Sequence, residues 1–268
     1  MTRFISFVVY FCIELVPFSS YAKDYPRVVT LSPHLAELVH DAGAGDKLVG
    51  VIRGSNYPAP ASMIPIVGDA SAIDIELVLK LKPDYIFAWQ EGNRLGDIQK
   101  LQTMGFYVKL FSTSSIYDVP NQILEVGNLL GTRELALGKA KQLENELLEL
   151  RDLYRGDIPK RVFLRIWNQP TFTVGGESAI NDILNLCNAS NVFQTYPFAA
   201  GPVGTEDIFL SEIDLTVNLY PVSAEPSFLE KFVRMDHRRV INFDPDILTR
   251  LTARTILEIS NFCKLIRS

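Results

Sequence analysis

Histidine is scarce in this chain, with 3 in 268 residues, alongside 3 cysteines and 2 tryptophans. His34 and His40 do not stand at a metal-ligand spacing from any cysteine or carboxylate. No Gly-x-Ser-x-Gly elbow and no Gly-x-x-x-x-Gly-Lys-Ser/Thr phosphate loop occurs. Gly175-Gly176 follows an apolar run, but a lone glycine pair reads as a turn. The usual marks of nucleophilic, metal-assisted and nucleotide chemistry are missing, so an exported enzyme is kept only as a rival reading. A basic stripe is missing too. Lys and Arg total 26 against 31 Asp and Glu, for a formal charge of −5, which argues against nucleic acid as a partner. Beyond the N-terminus no apolar run reaches the roughly 20 residues that span a bilayer.

The N-terminus has its own pattern. Arg3 supplies a short positive region, Phe4 to Phe18 is mostly apolar, and Ser20-Tyr21-Ala22 has small residues at both ends. This predicts a signal peptide over 1–22, cleaved after Ala22. Cys12 follows Phe11 rather than a small residue, so no lipid anchor is expected. Cleavage leaves about 245 residues, enough for two lobes of about 110. It also leaves two cysteines, Cys187 and Cys263. An even count in an exported chain suggests a disulfide, and two buried free thiols stay open as the alternative.

The chain that remains says one thing twice. Arg27-Val28-Val29-Thr30-Leu31 opens the first half and Arg161-Val162-Phe163-Leu164-Arg165-Ile166 the second, each leading through a turn towards an apolar helix. In each half a glutamate then opens another apolar helix ahead of a further strand. Asp74-Ile75-Glu76-Leu77 precedes Tyr85 to Ala88, and Thr205-Glu206-Asp207-Ile208 precedes Asp214 to Val217. Strands are expected at 28–31, 48–52, 85–88 and 107–111, with helices at 35–42, 74–81 and 94–104 between them, which is the pattern of a parallel sheet covered by helices. Leu143, Leu147, Leu150 and Tyr154 lie on one face of a helix predicted from Arg133 to Arg155. In the second half strands are expected at 161–166, 214–219 and 239–243, and helices at 178–187, 205–211, 226–235 and 247–264. The predicted architecture is α/β: two Rossmann-like lobes, 23–130 and 158–268, joined by a long rigid helix within 131–157, with a ligand cleft between them.

Several residues stand where an α/β sheet binds ligands, beyond the carboxyl ends of strands. These are Pro33 and His34 after the first strand, Trp89 after Tyr85–Ala88, Phe172 after the strand from Arg161, and Asp246 and Arg250 after Val240–Phe243. Each also has an ordinary structural reading: packing for the aromatics, a loop role for His34, and an i,i+4 helix pair for Asp246 and Arg250. Glu76 and Glu206 fit helix-dipole compensation, and their matched placement also fits two charges at corresponding tips of the lobes that register a basic partner.

Pro26-Arg27-Val28-Val29-Thr30-Leu31-Ser32-Pro33 with Glu37-Leu38 and Ala42-Gly43, then Asn56-Tyr57-Pro58, Leu81-Lys82-Pro83-Asp84 and Ala88-Trp89, closely resembles the periplasmic cobalamin-binding proteins of ABC importers. In the second half Phe172-Thr173, Gly175, Glu177-Ser178, Cys187 and Val192-Phe193 continue the resemblance. The resemblance implies a periplasmic location, no resident cofactor, a corrinoid ligand and an inner-membrane permease as partner, with the protein acting as a monomer. It implies that Trp89, Phe172, Asp246 and Arg250 line the corrinoid pocket, that Glu76 and Glu206 dock on the permease, and that Cys187 and Cys263 form a disulfide. Gly54, Ala70 and Ala200 stand where that family places further aromatics, while Tyr57, Trp167, Tyr196 and Phe198 are nearby candidates to replace them. Haem or an iron–siderophore complex is the alternative ligand, with His34 or Tyr57 as an axial group for haem.

Overall fold

The computed structural model describes residues 26–156, 158–220 and 239–268. The signal peptide expected over 1–22 and the helix expected over 226–235 lie outside the described residues. Strands β1 (Val28–Thr30), β2 (Leu48–Gly50), β3 (Tyr85–Trp89) and β4 (Val108–Phe111) form a four-stranded sheet in the order β2-β1-β3-β4, all parallel. Helices α1 (Pro33–Asp41), α2 (Ile75–Leu81) and α3 (Leu95–Thr103) connect them, as the alternating pattern predicts. Lys82 stops α2 in the left-handed conformation, φ 48°, directly before Pro83.

The second half is less regular than a repeat predicts. Its sheet runs β10-β9-β5-β6-β8, with β7 also on β5. Here β5 is Lys160–Trp167, β6 Phe172–Val174, β7 Ala189–Asn191, β8 Ala200–Pro202, β9 Leu215–Asn218 and β10 Arg239–Asn242. Strands β6 and β8 are antiparallel additions of three residues each. Segments this short, one of them Ala-Gly-Pro, carry no alternation to read. Helices α6 (Ile180–Leu186) and α7 (Thr205–Leu210) precede β7 and β9.

The repeat is most faithful at the sheet entrances. The Arg27 N–H donates to Asp84 Oδ2 at 2.7 Å, and the Asp84 N–H returns a bond to the Arg27 carbonyl at 2.9 Å. Arg161 and Asp214 repeat both bonds at 2.8 and 2.9 Å.

Between the sheets run α4 (Val119–Leu130) and α5 (Arg133–Leu153). Sequence reasoning missed α4. Its signals are Pro120 in the first turn and Gly131, which ends it at φ 74°. Leu143, Leu147, Leu150 and Tyr154 all face inward, as their spacing predicts. They join a single core that takes in β1, α1 and α4 as well as β5, α6 and β9. The two halves therefore share one apolar interior, and only the outer faces of the sheets have cores of their own. The helix expected over 247–264 is broken in two, α8 (Pro245–Thr249) and α9 (Ala253–Arg267). Leu251 turns left-handed there, φ 50°, and Thr252 restarts the chain with a capping box. Cys187, at the end of α6, is disulfide-bonded to Cys263 on α9. No helix among the described residues is long and apolar enough to cross a membrane.

Candidate functional site

The carboxyl ends of β1, β2, β3, β4 and β10 converge on an open cavity of about 440 Å³. The first half contributes Pro33, His34, Gly54 and Trp89, and the second Asp246 and Arg250. Five of the six ligand-site residues expected from sequence therefore come together across the two halves. Phe172 does not join them; it opens β6, opposite Pro202 of β8. Thr113, Thr249 and Leu251 also line the cavity, and no sequence feature marked them.

Trp89 is 38% exposed at the end of β3. Its loop is held by Asn93, which accepts from the Trp89 N–H at 2.6 Å and donates to the Leu31 carbonyl at 2.8 Å. The indole meets the His34 ring edge-on, with centroids 5.3 Å apart. His34 sits in the first turn of α1, its Nδ1 2.5 Å from Ser32 Oγ. Burial and the nearby Arg250 charge push its pKa down from 6.5 to about 4, so the ring is neutral at physiological pH.

Opposite this aromatic wall, Asp246 accepts from Arg250 Nη2 at 2.5 Å and leaves 39% of its side chain exposed. Gly54 adopts φ 90° and carries no side chain into the cavity. Tyr196 and Phe198 pack against each other beside Gly175 and Gly201, and the Trp167 indole N–H donates to the Gln169 carbonyl. Tyr57 lies under Arg254, 4.3 Å from guanidinium carbon to ring centroid. None of these four aromatics lines the cavity, so none fills the space at Gly54.

Away from the cleft, Asp74 caps α2 by accepting from the Leu77 N–H at 2.9 Å, which leaves Glu76 exposed in the first turn. Glu206 is likewise exposed in the first turn of α7. Each helix leads to the strand, β3 or β9, that pairs with the opening strand of its half. The two carboxylates thus hold equivalent topological positions. No group of three or more His, Cys, Asp or Glu among the described residues is arranged to hold a metal ion.

Two sheets on a shared helical core, with a mixed aromatic and charged cleft where their strands end, define a two-lobed ligand-binding protein. The sequence pattern of the periplasmic binding protein family matches residues 28–220, and the chain belongs to that family. It is 29% identical over 248 residues to a vitamin B12-binding protein of Vibrio vulnificus (strain CMCP6), covering 91% of this chain and 90% of the relative. A vitamin B12-binding protein of Yersinia pestis (strain Pestoides F) is 34% identical over 172 residues, 64% of this chain and 61% of the relative. Among solved structures, the periplasmic vitamin B12-binding protein BtuF of Vibrio cholerae superposes with a TM-score of 0.82 at 25% identity, covering 91% of this chain and 97% of that one. The periplasmic heme-binding protein RhuT of Roseiflexus sp. RS-1 shares the fold, with a TM-score of 0.79 at 19% identity over 90% and 98% of the two chains.

Proposed function

We propose that this protein captures cobalamin or a related corrinoid in the periplasm and delivers it to the permease of an ABC importer, without chemically altering it. The observation that carries this reading is the cleft itself, where Trp89 and Pro33 face the Asp246–Arg250 pair across the two halves. An aromatic and apolar wall suits the flat face of a corrin ring, and an exposed carboxylate suits the amide donors on its rim. The vitamin B12-binding relative of Vibrio vulnificus, similar over nine-tenths of the chain, supports the same ligand. Phe172 lies outside the cavity and enters the site only if a larger ligand extends to the β5–β6 hairpin. Glu76 and Glu206 dock on cationic residues of the permease, and the connecting helix with the shared core keeps lobe motions small.

Titration of the mature protein with cyanocobalamin, followed by absorbance and calorimetry, tests the ligand. A dissociation constant tighter than about 100 μM, roughly −5.5 kcal/mol, is expected, and weaker binding rejects the assignment. His34 motivates haem as the second reading, because burial keeps its imidazole in the neutral form that ligates iron. A haem titration giving a histidine-ligated spectrum, lost in His34→Ala, would favour it.

A further inference from the structure

The polar wall of the cleft is held by one carboxylate that does not itself line the cavity. Glu37 lies in the apolar run Leu35-Ala36-Glu37-Leu38-Val39 of α1, and its side chain is 1% exposed. Oε1 accepts from Arg250 Nη1 at 2.8 Å and from Arg254 Nη2 at 3.1 Å, and Oε2 accepts from Thr252 Oγ1 at 2.8 Å. All three donors lie more than two hundred positions later, in the segment where α8 ends and α9 begins. One turn further along α1, Asp41 accepts from the Ala253 N–H at 3.3 Å.

Arg250 is committed to the protein at every terminal N–H. Nη1 serves Glu37 and Asn56, both at 2.8 Å, while Nη2 serves the Gly54 carbonyl at 3.2 Å and Asp246 at 2.5 Å. Three of these four acceptors belong to the first half and one to the second. Arg250 therefore bridges the halves before any ligand arrives, and it cannot swing into the cleft without giving up a bond to the opposite side. Arg254 adds a second bridge through Glu37 and its stacking on Tyr57.

We propose that Glu37 is the positioning residue of the cleft: it holds Arg250 and Arg254 against α1, and so sets both the separation of the halves and the affinity for ligand. The charge matters as well as the shape. Two guanidinium groups meet at a single buried oxygen, and a neutral amide there takes the carboxylate partner from the nearly buried Arg254 and leaves Arg250 with Asp246 alone. Apolar packing alone tolerates sliding, whereas a directional network fixes one register. The affinity arm of this inference rests on the corrinoid reading; the geometric arm does not.

The test places spin labels at Lys100→Cys on α3 and Leu210→Cys on α7 and measures their distance distribution, together with cyanocobalamin affinity. The unaltered protein is expected to give one narrow distribution. Glu37→Gln should broaden it and weaken binding about tenfold or more, and Glu37→Asp, which keeps the charge, should fall between. If Glu37→Gln does not fold, Arg254→Met removes one partner and should act in the same direction with smaller effect. A Glu37→Gln (or Arg254→Met) distribution that superimposes on the unaltered one overturns the proposal, as does a broadened distribution with unchanged affinity. Absence of cyanocobalamin binding by the unaltered protein sinks the ligand assignment, and the label distances then decide this inference alone.

Discussion

The ring of His34 stands edge-on to the indole of Trp89, 87° between planes, where α1 begins and β3 ends. Trp89 thus has a fixed orientation at the cavity wall. Trp89→Ala should weaken corrinoid binding about tenfold, since an aromatic contact contributes about 0.5–1.5 kcal/mol beyond the area it buries. Only Trp89 and Trp167 fluoresce as tryptophans. Ligand-induced quenching should persist in Trp167→Phe and fall sharply in Trp89→Phe. Equal quenching in both variants would place the ligand elsewhere.

His34 also predicts a pH dependence. Its folded-state pKa is lowered from 6.5 to about 4, so on acidification the unfolded chain takes up this proton first. Its contribution is fully present above pH 6.5 and is lost as pH falls towards 4, amounting to roughly 3 kcal/mol. His34→Gln cannot titrate and should lose less stability than the unaltered protein between pH 7 and 4.5 in urea unfolding. Parallel losses would refute the assignment.

Asp41 works in the opposite sense. Burial pushes its pKa up from 3.8 to about 6, outweighing the Ala253 N–H that it accepts. The folded state now takes up the proton first, so this contribution is present below about pH 3.8 and disappears as pH rises through 6. Asp41→Asn should therefore gain stability relative to the unaltered chain as pH is raised from 4 to 7.5, by a few kcal/mol at most. A gain that is flat with pH would mean that Asp41 is ionised throughout.

The docking proposed for Glu76 and Glu206 predicts that transport can be separated from capture. Glu76→Ala with Glu206→Ala should leave the corrinoid dissociation constant unchanged, because neither residue lines the cavity. Uptake of labelled cobalamin by cells relying on this protein should fall at least tenfold. Normal uptake with the double variant would reject the docking role.

Cys187→Ser with Cys263→Ser should destabilise the protein by about 2–5 kcal/mol, because the bridge closes a long loop between α6 and α9. Chemical denaturation under non-reducing conditions checks this. Ligand affinity should change little, since neither cysteine touches the cleft.

Much of the fold was legible from local signals. Each strand of the parallel sheet is a short apolar run bounded by turn residues, and α5 announces itself through Leu143, Leu147 and Leu150. Propensity alone could not reveal β6, which exists because β5 offers it an edge, β8, which pairs in turn on β6, or the break at Leu251, which falls inside an otherwise helical pattern. The cleft residues were found because they follow strands. Glu37 carries a signal of its own in the sequence: a carboxylate on an apolar helix face, four residues before a second carboxylate, is a local conflict that calls for distant partners.

By itself the sequence determined the elements that depend on neighbours along the chain: the strand–helix alternation, the arginine that opens a strand in each half, the exposed first-turn glutamates and the helix between the halves. Tertiary structure alone decided what meets across the cleft. Whether Arg250 points at a ligand or into Glu37, Asn56 and Gly54 depends on contacts some two hundred residues away in sequence, and no period or propensity encodes that distance.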